Sequence, residues 1–392
     1  MKRSILAGMV SVIALSVPAW ADVKIAHVYG KTGPFEAYAK QSHDGLMMGL
    51  EYATGGTMEV NGEKIVIIEK DTQLKPENGK ALLAEAYGDD DVALAVGPVS
   101  SGVALAMLPV AAEYEKLLIV HPAVADSITG ENWNPYIFRT GRNSSQDAIA
   151  QAKAMAALGV KIATLAQDYA FGRDGIAAFK EALAGTGAEI VHEEYAPTDT
   201  TDFTAAAERV FTVMKDLDGP KKLFVLWAGG GNPLGKVNAM DPGRFGIEMS
   251  TGGNILAALK GYKDFPGMEG AIYYYYEIPK NPVNDWLVTE HQKRFNSPPD
   301  FFTAGGMATG MFIVEALKKA GSVDTAALSA AMEGLEWDTP KGKMVMRADD
   351  HQALQSMYHF KIAVKDGVEW AVPELVKEIG IDEMQVPIRN KK

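Results

Sequence analysis

Beyond its first twenty residues, the chain alternates short β-branched apolar runs with longer stretches whose apolar positions recur every three or four residues. That alternation predicts βαβ units built around parallel sheets. In the first half, strands are expected at VKIAHVYG from Val23, KIVIIEKD from Lys64, VALAVGP from Val92 and LLIVHP from Leu117, with helices near 39–53, 76–88 and 101–115. The pattern restarts at PYIFRTG from Pro135. A helix on SSQDAIAQAKAMAALG follows, then strands from Lys161, Ala188 and Leu223 with helices near 172–185 and 201–217. The last third carries AIYYYYEIP from Ala271, helices near 281–296 and 303–320, and short strands at 343–348 and 357–366. These pieces are expected to return and complete the earlier lobes. No Gly/Ser-rich tether separates the halves, so the lobes should be joined by several short crossings that leave a hinged cleft.

The start of the chain has a different character. Lys2 and Arg3 precede an apolar run from Ile5 to Val17, and Ala19-Trp20-Ala21 supplies an A-x-A cleavage site, the pattern of a secretory signal peptide. The apolar run is shorter than the ~20 residues that span a bilayer. Export to the periplasm with cleavage after Ala21 is expected. The absence of cysteine removes thiol catalysis, disulfides, Cys-based zinc sites and lipid attachment at the cleavage site. A formal charge of −12 opposes nucleic-acid binding.

Motifs for catalysis are weak. Gly230-Gly231-Asn232-Pro233-Leu234-Gly235-Lys236 fits G-x-x-x-x-G-K, but Val237 stands where Ser or Thr would hold Mg²⁺ and Pro233 removes a phosphate-cradling N–H. A turn with Asn232 capping a short helix explains it better. The seven histidines form no metal-ligand pair, and no G-x-S-x-G elbow occurs. Neither an enzyme, a metal site nor a cofactor is expected.

Small hydroxyl and glycine residues do lie just past the carboxyl ends of predicted strands, where open α/β sheets bind ligands. Gly97-Pro98-Val99-Ser100-Ser101-Gly102 leads into a helix whose free N–H groups suit a carboxylate or carbonyl. Plain N-capping by Ser100 or Ser101 uses the same groups. Thr32-Gly33-Pro34-Phe35-Glu36-Ala37-Tyr38 follows the first strand and could bring Tyr38 to the cleft mouth.

Taken in order, HVYGKTGPFEAYAKQSHDGLMMGLEYA, AVGPVSSGVALAMLPVAAEYEKLLIVHPA, NPYIFRTGRNSSQ, QDYAFGRDGIAAFKEAL and YAPTDTTDFTAAAERV resemble the leucine/isoleucine/valine-binding family of periplasmic solute-binding proteins of ABC transporters. The resemblance covers nearly all of the chain after the signal. It implies an α/β fold of two Rossmann-like lobes with parallel sheets joined by three crossings, the type I periplasmic binding fold. Residues 22–142 with about 279–355 would form the N-terminal lobe, and 143–278 with about 356–392 the C-terminal lobe. It further implies a monomer that takes a small-molecule solute and hands it to a membrane permease. A ligand-sensing domain docked to a membrane sensor shares the fold and is the alternative.

By matched motif, the resemblance places Tyr38 on the first-lobe wall and Ser101, with Ser100 beside it, on the solute's carboxylate. Tyr169 and Phe171 would face the solute from the second lobe, with Trp227 and Phe302 nearby. Val124 and Ala125 fall where amino-acid binders of the family have an Ala-Thr pair, so a hydroxyl is missing. Where such binders place an acid for the α-ammonium, this chain has Ser250-Thr251-Gly252-Gly253-Asn254. An α-ammonium buried without a carboxylate costs several kcal/mol. The expected solute is therefore an aromatic or branched hydrophobic acid, with a branched-chain or other apolar amino acid, or an amide, as the alternative.

Overall fold

The computed structural model describes residues 22–390. The proposed signal peptide lies outside them. The first lobe is built on a six-stranded sheet in the order Glu59–Val60, Glu63–Asp71, Val23–Tyr29, Leu94–Val96, Leu117–Val120, Ile137–Arg139. Its pairings are parallel except for the Glu59–Val60 edge. The second lobe holds a parallel sheet ordered Ile247–Thr251, Lys221–Leu226, Lys161–Gln167, Glu189–Ala196. Leu117–Val120 is buried at every position, as a central parallel strand covered on both faces requires.

Elements of the last third pack on elements from both halves of the chain. Helix Phe301–Ala320 lies on helix Glu36–Ala53 with backbones nearly touching: a Cβ on Gly45 or Gly49 would sit 2.1 or 2.2 Å from the carbonyl oxygens of Thr303 and Met307, and one on Gly306 would sit 2.2 Å from that of Ser42. Glycines are required there because any side chain would push the helices apart. Strand Glu269–Ile272 joins Met357–Ala363 and Val372–Ile379 in an antiparallel sheet beside the second lobe. Glu336–Thr339, Gly342–Met346 and Ala353–Leu354 form another beside the first.

Some elements differ from the sequence reading. The strand expected through Tyr276 ends at Ile272, and Tyr273, Tyr274 and Tyr275 become a buried crossing between lobes. Their partners explain why: the Tyr274 hydroxyl donates to Asn284 Oδ1 at 2.7 Å, and Trp370 Nε1 donates to the Tyr275 hydroxyl at 3.2 Å. The stretch read as a loop at Ser250–Asn254 begins inside the edge strand Ile247–Thr251, too short and polar to stand out by periodicity. The short helix after Pro233 is present as Leu234–Asn238, and the Leu234 N–H donates to Asn232 Oδ1.

Beneath the first crossing lies Arg139, fully buried and with no carboxylate in ion-pair contact among the described residues. Its guanidinium donates to Gln352 Oε1, to the Ala125 carbonyl and to Thr129 Oγ1. Burial pushes its pKa down to about 10. Gln352 in turn donates to the carbonyls of Gly141 and Ala353, tying the first crossing to the third. Replacing Gln352 by leucine keeps the volume and strips these bonds, so it should cost the fold about 3 kcal/mol. Chemical denaturation checks this, and a variant as stable as the parent would show the junction to be unimportant.

Candidate ligand cleft

The carboxyl ends of both parallel sheets open on one cleft between the lobes. Tyr38, Ser101 and Val124 line it from the first lobe, Tyr169, Phe171 and Trp227 from the second, and Phe302 from the long helix. Ser100 and Ala125 do not line it. Ser100 occupies the N-cap position of helix Ser101–Tyr114 without a side-chain capping bond. Ala125 is held as a support, its N–H bonded to Ser101 Oγ and its carbonyl to Arg139.

Each wall residue is fixed by identifiable contacts. Ser101 Oγ accepts from the N–H groups of Val124 at 3.3 Å and Ala125 at 3.1 Å, which leaves its own O–H for donation. The Tyr38 and Phe302 rings pack at 4.5 Å, and Tyr169 and Phe171 at 5.8 Å. Trp227 packs edge-on against Phe203 and donates its Nε1 proton to the Gly230 carbonyl. The Tyr38 hydroxyl is fully engaged across the cleft, accepting from Gly229 N–H and donating to Asn254 Oδ1, both at 2.9 Å.

The floor holds the charged groups that sequence reasoning missed. Asn143 and Gln146 form a reciprocal capping box that fixes the start of helix Ser144–Met155. Arg142 stands just before that start and Asp147 in its first turn, so Nε of Arg142 meets Oδ1 of Asp147 at 2.7 Å. The Arg142 guanidinium lies 5.2 Å from the Tyr273 ring, 5.0 Å from Phe301 and 5.9 Å from Phe302, within cation–π range. Lys341 Nζ lies 3.7 Å from the same Tyr273 ring and donates to Gln355 Oε1 and the Ser356 carbonyl. Burial, then repulsion from Arg142, holds the Lys341 ammonium well below the usual lysine range. Burial also raises the Asp147 carboxyl despite Arg142.

This corrects the expectation that the cleft offers no acid to an α-ammonium. The loop Ser250–Asn254 indeed has none, but Asp147 brings one from another element. Glu248 is exposed and faces Lys222. The signal lay in RTGRNSSQD, where a cation three residues after strand Ile137–Arg139 and an acid five residues beyond it flank a helix start.

Residues 22–367 match the family model described as periplasmic binding protein. The chain belongs to that family. A curated relative, the Leu/Ile/Val-binding protein homolog 6 of Brucella melitensis, is 26% identical over 381 residues, covering 93% of this chain and 94% of its own. An ABC-type branched-chain amino acid transporter from Rhodopseudomonas palustris is 67% identical, covers 95% of this chain and 100% of its own, and superposes at a TM-score of 0.85. A solute-binding protein of an ABC transporter from Rhodopseudomonas palustris BisB5, in complex with 3,4-dihydroxybenzoic acid, is 28% identical over 92% of this chain and 98% of its own, with a TM-score of 0.78. The fold expected from the sequence is the fold of these periplasmic binding proteins.

Asp300 gives this periplasmic binding protein a measurable pH signature. Its carboxylate caps helix Phe301–Ala320 and accepts from the Phe301 and Leu256 N–H groups and Gln41 Nε2, yet burial pushes its pKa up to about 6 from 3.8. The neutral form therefore favours folding: its contribution is whole below pH about 4 and is lost as pH rises through about 6. Asp300→Asn mimics the neutral form. Its melting temperature minus that of the parent should climb by a few degrees between pH 4 and 7, and a flat or falling difference would contradict the burial argument.

Proposed function

We propose that the chain is the substrate-binding component of an ABC transporter for a small organic acid with an aromatic or branched apolar body, captured between the lobes and passed to a membrane permease. The lobes would be divided as the sequence suggests, 22–142 with about 279–355 and 143–278 with about 356–392. Removal of the first 21 residues would leave the protein free in the periplasm. The observation that carries the reading is Arg142 on the cleft floor among Tyr273, Phe301 and Phe302. A carboxylate there meets a guanidinium fork with little competing water, while Ser101 Oγ–H and the start of helix Ser101–Tyr114 offer further donors. Phe35, Phe171, Trp227 and Phe302 give the body of the acid an apolar bed. The relative that holds 3,4-dihydroxybenzoic acid is consistent with this chemistry.

Asp147 favours a second reading, an apolar α-amino acid whose ammonium would pair with that carboxylate. The branched-chain amino acid transporter at 67% identity supports it. Calorimetry and thermal shift with benzoate, 4-hydroxybenzoate, 4-methyl-2-oxopentanoate, leucine and valine separate the two. At a hundred times its dissociation constant, a true solute adds about 2.7 kcal/mol to stability, which is readable as a rise of several degrees. Arg142→Gln together with Asp147→Asn keeps the floor's net charge and should weaken acid binding about 10- to 100-fold by removing a charged hydrogen bond. Ser101→Ala should weaken it by about 1–3 kcal/mol. Tight leucine binding with no response to the acids would overturn the first reading in favour of the second.

A further inference from the structure

One rim of the cleft is closed by protein contacts that run from lobe to lobe. Phe35 and Tyr38 stand at the start of helix Glu36–Ala53 in the first lobe, while Gly229 follows strand Lys221–Leu226 and Asn254 follows strand Ile247–Thr251 in the second. The Tyr38 hydroxyl uses its acceptor on Gly229 N–H and its proton on Asn254 Oδ1. Gly229 takes a positive φ of 74°, and a Cβ there would lie 2.4 Å from the Phe35 ring, so the ring rests on bare backbone. Asn254 Oδ1 also accepts from Ile255 N–H, which fixes its rotamer toward the tyrosine. Close by, Asp300 and Gln41 of the first lobe hold each other, and Asp300 accepts the Leu256 N–H of the second lobe at 3.0 Å.

We infer that Tyr38, Gly229 and Asn254, backed by Asp300 and the Leu256 N–H, form a latch that closes lobe on lobe without reading the solute. The Tyr38 hydroxyl is then a positioning group: it sets how tightly and for how long any solute is held, and leaves the choice among solutes to the floor and walls, the Tyr38 ring among them. The geometry supports this division because both hydrogen-bonding directions of the hydroxyl are already used by protein. Opening the cleft breaks both bonds at once, and each partner then returns to water. A latch of this kind raises the fraction of closed molecules before solute arrives, and apparent affinity scales with that fraction.

The inference uses the reading of this cleft as the solute site only for its second test. The first needs no solute. Because the chain lacks cysteine, Glu77→Cys on the first lobe and Glu208→Cys on the second, both exposed, accept a dye pair without side reactions. In solute-free protein, Tyr38→Phe should shift the transfer efficiency toward the open value, and Asn254→Ala should do the same. The double variant should add little to Tyr38→Phe, which already removes the bond the two side chains share, and should exceed Asn254→Ala by the lost Gly229 bond. An unchanged lobe separation in both single variants would overturn the latch.

The second test is calorimetry of Tyr38→Phe with benzoate, 4-hydroxybenzoate and leucine. Whichever of these bind should weaken by a common factor of about ten, two ordinary hydrogen bonds being lost on closure. Weakening confined to one probe would overturn the inference by showing that the hydroxyl reads solute. Should none of the three bind the parent, the proposed solute classes fall, while the dye measurement still decides the latch. Circular dichroism of Tyr38→Phe should match the parent, because the ring and its packing on Phe302 remain.

Discussion

The architecture depends on burying cations where the chain passes between lobes. Arg139 precedes the first crossing, Arg142 stands in it, and Lys341 is tied to the third through Gln355 and Ser356. A buried cation left without partners costs several kcal/mol, so each of these dictates its surroundings. Arg139 takes carbonyl, amide and hydroxyl oxygens, Arg142 takes Asp147, and Lys341 takes two neutral oxygens and the face of Tyr273. Tyr273 belongs to the second crossing and lies within cation–π range of both Arg142 and Lys341. The three strands of the hinge are thereby held together by a few polar contacts at one place. The carboxyl ends of the two parallel sheets face the same cleft.

What the sequence disclosed follows from this division. The β-branched runs and helical periods near residues 23–120 and 161–226 were legible because parallel sheets covered on both faces leave strong apolar signatures. The crossings left misleading ones. Tyr273–Tyr276 looks like the end of a strand because aromatic residues favour strands, yet tertiary contacts with Lys341, Asn284 and Trp370 claim the rings and hydroxyls. Strand Val372–Ile379 carries Glu374, Lys377 and Glu378 in a mostly exposed run, so no buried alternation marks it.

The cleft was legible to a similar depth. Tyr38, Ser101, Val124, Tyr169, Phe171, Trp227 and Phe302 come to one cavity because loops at the carboxyl ends of parallel strands must converge there. Periodicity carries no information about which polar atoms are already spoken for. Tyr38 lines the cavity, yet its hydroxyl is consumed by Gly229 and Asn254. Arg142 and Asp147 were passed over because a charged residue near a helix start reads as surface until tertiary structure closes over it.

That pair changes the electrostatic argument about the proposed solute. Judged from the loop Ser250–Asn254 alone, an amino acid would bury its ammonium unpaired, a penalty of several kcal/mol that disfavours it. With Asp147 on the floor, a zwitterion can pair at both ends, and the penalty falls instead on a simple acid. Its carboxylate, set beside Arg142, adds a second negative charge close to Asp147. The relief is a proton. Burial has already moved the Asp147 carboxyl toward its neutral form, so taking up a proton as the acid enters costs less here than at an exposed aspartate. Arg142 would then turn its charge to the proposed solute while the protonated Asp147 stayed as its hydrogen-bonding neighbour. The proposed acid and the alternative amino acid thus differ in whether Asp147 would have to be neutralised, a step its burial favours.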